Sequence, residues 1–166
     1  VTAKTRELRI NFHENGKGLA SCDLNGDGNV DLIGTNSNGP TFIGEGIIDF
    51  FPGPLFVWQS GGHGGHWISL RLKGRMGVDG TGSNADAVGA RVLVTADIGD
   101  SKLHTQVRDV LASSTFLGMS CLDLHFGLAE ASKVNEISIL WPSGVRQILT
   151  DEDVDQVLEI VEPAGE

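Results

Sequence analysis

Apolar and polar residues alternate with a period of two along much of the chain, between turns that are rich in Gly, Asn and Asp. The clearest example is residues 66–73, in which Ile68, Leu70 and Leu72 alternate with more polar side chains. Such alternation gives a strand one apolar and one polar face. The 3.6-residue period of an amphipathic helix is nearly absent. The pattern therefore predicts an all-β protein.

The same criteria predict further strands at short spacing along the chain. They cover residues 7–12, 30–35, 90–96, 103–110, 122–126, 134–141, 145–149 and 156–161. Many short strands at this spacing are typical of a β-sandwich or a barrel.

A glycine-rich segment at residues 60–65 divides the predicted strands into two groups. Four of its six residues are glycine, which costs backbone entropy and rarely lies inside a packed element. We predict a short β unit at residues 1–60 and a larger β-sandwich or barrel-like domain at residues 61–166. Residues 50–58 are apolar but are interrupted by two prolines, which bar a central strand. This segment either covers the core or contacts a partner.

The size and charge of the chain exclude several classes of function. The chain has 166 residues, 40% of them apolar, which is enough for a real core. A formal net charge of −10 disfavours binding to nucleic acid or to anionic lipid. No apolar run of about 18 residues predicts a membrane span, and no intact signal peptide opens the chain. Cys22 and Cys121 are either two buried free thiols, the simpler interpretation, or one long-range disulfide, which an oxidising compartment permits.

The clearest chemical signal is residues 23–31, Asp-Leu-Asn-Gly-Asp-Gly-Asn-Val-Asp. Calcium takes about six to eight oxygen ligands, so a loop that binds it brings carboxylates and amides together while turning sharply. Here such side chains occupy alternate positions, and the glycines between them permit the turn. We predict that Ca²⁺ is bound by Asp23, Asn25, Asp27, Asn29 (through its backbone carbonyl) and Asp31.

This loop differs from an EF-hand. The position at which an EF-hand carries its last, bidentate Glu is Gly34, and the flanking residues have strand patterns. Asp31 is therefore expected to close the site. Magnesium fits less well because it prefers to keep its waters. The alternative is an acidic turn without a metal, which Asn, Asp and Gly also produce.

Two parts of the chain resemble known families. Residues 18–20, the loop at 23–32 and the Ile-Gly-Thr-Asn of residues 33–36 resemble the FG-GAP or VCBS repeat, the calcium-binding blade unit of integrin-like β-propellers. From His66 onward the chain resembles the ASPIC/UnbV domain. The matching segments are His66-Trp67, Leu-Arg-Leu-Lys-Gly at 70–74, Asn-Ala-Asp-Ala-Val-Gly-Ala-Arg-Val at 84–92, Leu-His-Phe-Gly-Leu at 124–128 and Trp-Pro-Ser-Gly at 141–144.

The resemblance implies a secreted, calcium-binding protein of the cartilage acidic protein family or its bacterial relatives, with adhesive or matrix-like roles, and it requires no enzymatic activity. Such proteins usually carry several repeats, whereas this chain shows one, which cannot bury both faces of its sheet. Residues 41–58 are also longer than the usual link to the terminal domain. We therefore expect a fragment of a longer protein, or a subunit whose neighbours come from a complex.

Other chemistry-bearing residues favour structural roles. His63 and His66 form an HxxH pair on a glycine-rich loop, a weak metal site, and His125 is expected to bond to backbone. The acidic run at 151–155 lacks glycines and alternate spacing. No serine lies in a GxSxG elbow or is tied to a base by a motif. We therefore expect no enzyme.

The leading hypothesis is an extracellular or periplasmic module that binds a protein partner. One alternative is carbohydrate recognition, with Trp58 or Trp67 as the stacking platform. Another is an accessory subunit of a membrane or redox complex that docks through residues 50–58. The candidate partner or ligand contacts are Phe51, Phe56, Trp58 and Trp67.

Overall fold

A computed structural model of the chain describes residues 16–36, 39–42, 48–51, 53, 55–62, 64–116 and 118–165. Within these residues the chain forms strands and one short 3-10 helix, Arg75–Gly77, with no α-helix. The strands are β1 (Gly16–Cys22), β2 (Asp31–Asn36), β3 (Gly39–Phe42), β4 (Ile48–Phe51), β5 (Leu55–Trp58), β6 (His66–Lys73), β7 (Arg91–Asp97), β8 (Leu103–Asp109), β9 (Leu124–Ala129), β10 (Lys133–Leu140), β11 (Arg146–Asp153) and β12 (Gln156–Val161). The all-β prediction is confirmed. The described part contains no helix that is long and apolar enough to cross a membrane.

The period-two pattern located most strands of the C-terminal half. Strands β6 and β12 have the predicted bounds, while β11 continues four residues beyond its predicted end, to Asp153. The predicted strand at 7–12 lies outside the described residues. Strands β1, β3, β4 and β5 were not predicted, because glycine and proline interrupt the alternation there. β5 pairs with β2 at the end of its sheet, an edge position that nearby prolines allow.

The chain divides into two compact units, which are described separately below. The first unit contains the described residues of Val1–Cys22, Asp31–Ser60 and Ser113–Ser120. The second contains those of Asp23–Val30, Gly61–Ala112 and Cys121–Glu166. The predicted calcium loop therefore belongs to the second unit, although the strands on either side of it, β1 and β2, belong to the first.

The second unit is a sandwich of two sheets. One sheet has the antiparallel order β11-β10-β7-β8; in the other, β12-β6-β9, strand β12 runs parallel to β6. Buried apolar side chains of both sheets form one cluster, so the two sheets enclose a common core. No closed barrel forms among the described residues.

The core follows the alternation of the sequence. In β7, Val92, Val94 and Ala96 are buried, while the residues between them are exposed or half-buried. Trp141, directly after β10, is 1% exposed and donates its Nε1–H to Oε1 of Gln147 at 3.0 Å. This bond satisfies the one polar group of a large buried aromatic side chain.

The first unit contains the antiparallel sheet β1-β2-β5 and the hairpin β3-β4. None of its described apolar side chains is buried. The register places Leu32 beside Trp58 on one face and Ile33 beside Val57 on the other. Both faces of this sheet are therefore apolar, and Val57 is 56% exposed.

Residues Ser113–Ser120 support the first strand of this unit. The hydroxyl of Thr115 donates to the carbonyl of Leu19 at 2.6 Å, and the N–H of Ser21 donates to Oγ of Ser120 at 3.2 Å. This segment follows β8 in the chain and bonds along β1.

Cys22 and Cys121 form a disulfide, since both are bonded and the chain has no other cysteine. The simpler expectation of two free thiols was wrong, because the tertiary fold brings together two residues that are far apart in the sequence. The alternative, one long-range bridge, is the one that the structure contains.

Candidate metal centre

The candidate metal loop is a tight turn around the carboxylate of Asp23. Gly26 and Gly28 have φ angles of 75° and 81°, in the left-handed region that glycine adopts without strain. Oδ1 of Asp23 accepts the N–H groups of Gly26 at 2.8 Å and Asp27 at 3.2 Å, and Oδ2 accepts the N–H of Gly28 at 2.8 Å. Three backbone donors therefore fix this carboxylate inside the turn.

A second carboxylate, Asp27, is fixed by the two asparagine residues of the loop. Its Oδ2 accepts the amide of Asn25 at 2.8 Å, and its Oδ1 accepts the backbone N–H and the side-chain amide of Asn29 at 2.8 and 2.9 Å. The bond from Asn25, followed by those from Asn29, lowers the pKa of Asp27. The loop therefore holds Asp27 as an anion at neutral pH.

The residue types of this loop fit a hard cation. Two carboxylates and two side-chain amides, together with loop carbonyls, provide only oxygen as a ligand atom, which is what calcium prefers. Both amide NH₂ groups donate to Asp27, so the Oδ1 atom of each asparagine is the side-chain atom that could bind an ion. Among the described residues, no group of three or more His, Cys, Asp and Glu side chains converges as a metal site.

The fifth predicted ligand, Asp31, has a partner in the first unit. It begins β2, it is 1% exposed, and its Oδ1 accepts the N–H of Ser60 at 2.7 Å. This bond links the start of β2 to the end of the segment that follows β5. The structure thus gives Asp31 a role in the first unit, and its role as a calcium ligand stays a prediction.

The loop packs against residues of its own unit at two points. A Cβ placed on Gly28 would lie 2.0 Å from Nε1 of Trp67 and 2.2 Å from Cε2, so this backbone lies directly against the indole. A Cβ on Gly62 would lie 2.4 Å from Oδ1 of Asn29. The glycine-rich segment that was interpreted as the division between two units therefore also contacts the loop through Gly62. The sequence offered no signal for this contact beyond Gly62 itself.

Trp67 is held in place on its other sides. Its N–H donates to Oδ1 of Asp155 at 3.1 Å, and its carbonyl accepts the N–H of Asp155 at 2.6 Å. Its indole stacks on the ring of His125, with centroids 5.8 Å apart and 18° between the planes. Nδ1 of His66 lies 2.7 Å from Oδ2 of the same Asp155, which accepts a hydrogen bond from it.

His125 carries an unsatisfied polar atom. Its Nδ1 is buried and has no hydrogen-bond partner among the described residues, contrary to the expectation of a backbone bond. Burial, and then the positive charge of Arg108, lowers the pKa of His125, while the negative charge of Asp23 opposes this shift. The imidazole is therefore neutral at neutral pH.

The predicted partner contacts lie in different places. Phe56 and Trp58 stack with centroids 5.4 Å apart on one face of the β1-β2-β5 sheet, where Trp58 is 38% exposed. Phe51 lies in β4, and its side chain is outside the described part, as is His63. Trp67 is half-buried under the loop. Of the three described side chains, Phe56 and Trp58 thus share one face of the first unit, whereas Trp67 belongs to the second unit.

A family model described as ASPIC and UnbV matches residues 80–166, slightly more than half of the chain. This segment contains β7 to β12 and His125, and it begins after the loop and Trp67. No curated protein and no solved structure matches the chain.

Proposed function

Because the chain belongs to the ASPIC and UnbV family, we propose that it is a non-catalytic calcium-binding module for protein–protein interaction, adhesion or assembly outside the cytoplasm. The observation that carries this proposal is the loop of the second unit. There the carboxylates of Asp23 and Asp27 are fixed by the loop's own backbone and amides. An ion bound by these groups would neutralise two adjacent anions and thereby stabilise the turn.

Asp23, Asn25, Asp27 and Asn29 are the residues that would hold the ion, and the sequence adds Asp31. In this proposal the ion has a structural role. The turn is built by glycines and closed by backbone bonds. It is flanked by strands β1 and β2, and not by a pair of helices that ion binding could open. A chain of this type acts as a scaffold and not as a calcium sensor.

We extend the proposal to the first unit, which we interpret as one FG-GAP/VCBS-like repeat. Its sheet has apolar residues on both faces, and none of its described apolar side chains is buried. A sheet of this kind is typical of a repeat whose faces are covered by neighbours. Further repeats or a partner subunit would provide that cover, and this is the basis for proposing assembly.

The disulfide supports the proposed location. Disulfides form and persist in oxidising compartments and are rare in the cytosol. A protein with a Cys22–Cys121 bond is therefore expected in the periplasm or outside the cell.

Calorimetric titration of the chain with CaCl₂ tests the proposal. We expect one binding site that Asp23→Asn and Asp27→Asn each weaken by at least about tenfold, because each removes a charge from the site. At a calcium concentration about a hundredfold above Kd, the unfolding free energy should rise by about 2.7 kcal/mol. MgCl₂ at equal concentration and Asp100→Asn, outside the loop, are the controls. Equal melting temperatures in calcium and in excess chelator would contradict the proposal.

Carbohydrate recognition is a second candidate, favoured by the exposed Phe56–Trp58 stack. Aromatic faces of this kind also suit a protein partner, and the neighbours Leu19 and Leu32 on the same face are apolar and exposed. A glycan array with Trp58→Ala as the control separates the two. Glycan binding that depends on Trp58 supports sugar recognition, whereas an array without any binding signal contradicts it.

A further inference from the structure

The contact between the loop and Trp67 points to a residue that governs the loop's affinity. Gly28 is buried, and the position of its missing Cβ overlaps the indole of Trp67. No other residue type fits this position unless the loop or the ring moves. The N–H of Gly28 also donates to Oδ2 of Asp23. The residue that touches the indole is therefore one of the three whose N–H groups orient a predicted ligand.

The indole is a rigid support for this contact. Trp67 lies in β6, which pairs with β9 on one side and with β12 on the other. Two hydrogen bonds with Asp155 fix its backbone, and the His125 ring stacks on its side chain. The loop, by contrast, consists of eight residues, Asp23–Val30, without strand structure, so Trp67 is the more fixed of the two partners.

We propose that Trp67 is a positioning residue for the calcium loop, and that the conformation with Gly28 against the indole is the one that binds the ion. This inference rests on the proposed function. If only this conformation is competent, then the apparent affinity falls in proportion to its population. Ion binding in turn stabilises the second unit, because the loop packs on that unit.

Two glycine substitutions separate this contact from backbone strain. Gly28→Ala and Gly26→Ala both place a Cβ at a positive φ, 81° and 75°. A Cβ on Gly26 meets nothing within 4 Å, whereas one on Gly28 overlaps Trp67. In a calcium titration of the full chain we expect Gly28→Ala to bind at least about tenfold more weakly than Gly26→Ala, because an overpacked contact displaces the loop. Equal affinities of the two variants would overturn the inference.

Substitutions of Trp67 provide a second test of the contact. Trp67→Phe keeps an aromatic face for Gly28, and we expect an affinity within about threefold of the wild type. Trp67→Leu removes that face and should weaken binding by at least about tenfold. The double variant Gly28→Ala/Trp67→Leu should bind calcium more tightly than the sum of the two single-variant losses in binding free energy predicts, because leucine leaves room for the new methyl group. Additive losses in this cycle would contradict a direct contact.

A metal-independent measurement keeps this inference distinct from the proposed function. In calcium-free buffer we expect the amide protons of Gly26, Asp27 and Gly28, which donate to Asp23, to exchange faster in Trp67→Leu than in the wild type and Trp67→Phe. If the wild type binds no calcium, then the proposed function fails, while this exchange pattern still supports positioning by Trp67. If the wild type binds calcium but neither affinity nor exchange depends on residue 67, then only the inference fails.

Discussion

The backbone N–H of Ser83 donates to the carboxylate of Glu162 at 2.7 Å, and the hydroxyl of Ser83 donates to the same carboxylate at 2.8 Å. The N–H of Arg75 and the hydroxyl of Ser143 are further donors. Glu162 is 1% exposed. One buried anion therefore fastens the loop after β6 and the turn between β10 and β11 to the end of β12.

Glu162 should make stability depend on acid. Burial by itself raises the pKa of this carboxyl, but bonds from Arg75, Ser143 and Ser83 outweigh it and lower the pKa from 4.5 to about 2. The stabilisation is thus complete above pH 4.5 and is lost as the pH falls towards 2. The shift corresponds to about 3 kcal/mol. Denaturant unfolding between pH 7 and pH 2 measures it.

The matching substitution is Glu162→Gln, which we expect to cost about 3 kcal/mol at pH 7 because an uncharged amide replaces an anion that accepts four bonds. The difference from the wild type should disappear near pH 2. Glu159→Gln, whose partner is Lys73 on the exposed surface, is the control and should change stability by less than about 1 kcal/mol. A pH-independent loss in Glu162→Gln would show that shape, and not charge, is responsible.

The disulfide should contribute strongly to stability. It closes a loop of about 100 residues, and the chain-entropy model gives about 4.7 kcal/mol for that length. We expect Cys22→Ser/Cys121→Ser to lower the unfolding free energy by about 2 to 5 kcal/mol. Treatment of the wild type with reductant should lower its melting temperature, while the double variant should not respond. A reductant effect of equal size on both proteins would contradict this prediction.

His125 should destabilise the protein as the pH falls. Its pKa is lowered from 6.5 in the folded chain, so the unfolded chain binds a proton more strongly than the folded chain does. The free energy of unfolding therefore decreases as the pH falls below about 6.5. His125→Phe keeps a ring against Trp67 and removes the unsatisfied Nδ1. We expect this variant to be as stable as the wild type at pH 7, or up to about 1 kcal/mol more stable.

The pH profile provides the control for His125. Between pH 7 and pH 5 the unfolding free energy of His125→Phe should fall less than that of the wild type. His104→Phe, which removes an exposed histidine paired with Asp100, should leave the wild-type slope largely in place. If the unfolding free energies of the wild type and His125→Phe fall equally with pH, then the buried imidazole is not the cause of the pH dependence.

The sandwich core can be tested with one isoleucine from each face of the sheet β11-β10-β7-β8. Ile137 of β10 is fully buried, whereas Ile148 of β11 is 63% exposed. We expect Ile137→Ala to cost about 2 to 5 kcal/mol, because it leaves a cavity between the sheets. Ile148→Ala should change stability by less than about 1 kcal/mol. Similar losses at both positions would contradict the assignment of the two faces.

The sequence by itself determined the strand content and the inward face of the second unit. The alternation of Ile68, Leu70 and Leu72 located β6 to the residue, since a strand with one buried face must repeat every two positions. It also identified the loop at 23–31, because oxygen-bearing residues and glycines are local features. Family resemblance to ASPIC/UnbV was readable from short motifs.

The tertiary structure decided everything that depends on distant residues. It joined Cys22 to Cys121, assigned Asp23–Val30 to the second unit and placed Gly28 against Trp67. It also showed that Glu162 has four donors from two separate segments, the loop after β6 and the turn between β10 and β11. Alternation and spacing report the local conformation of the chain, whereas these contacts arise when sheets pack and loops fold over them. For this reason a glycine read as a turn residue became, in the fold, the contact point of the candidate calcium loop.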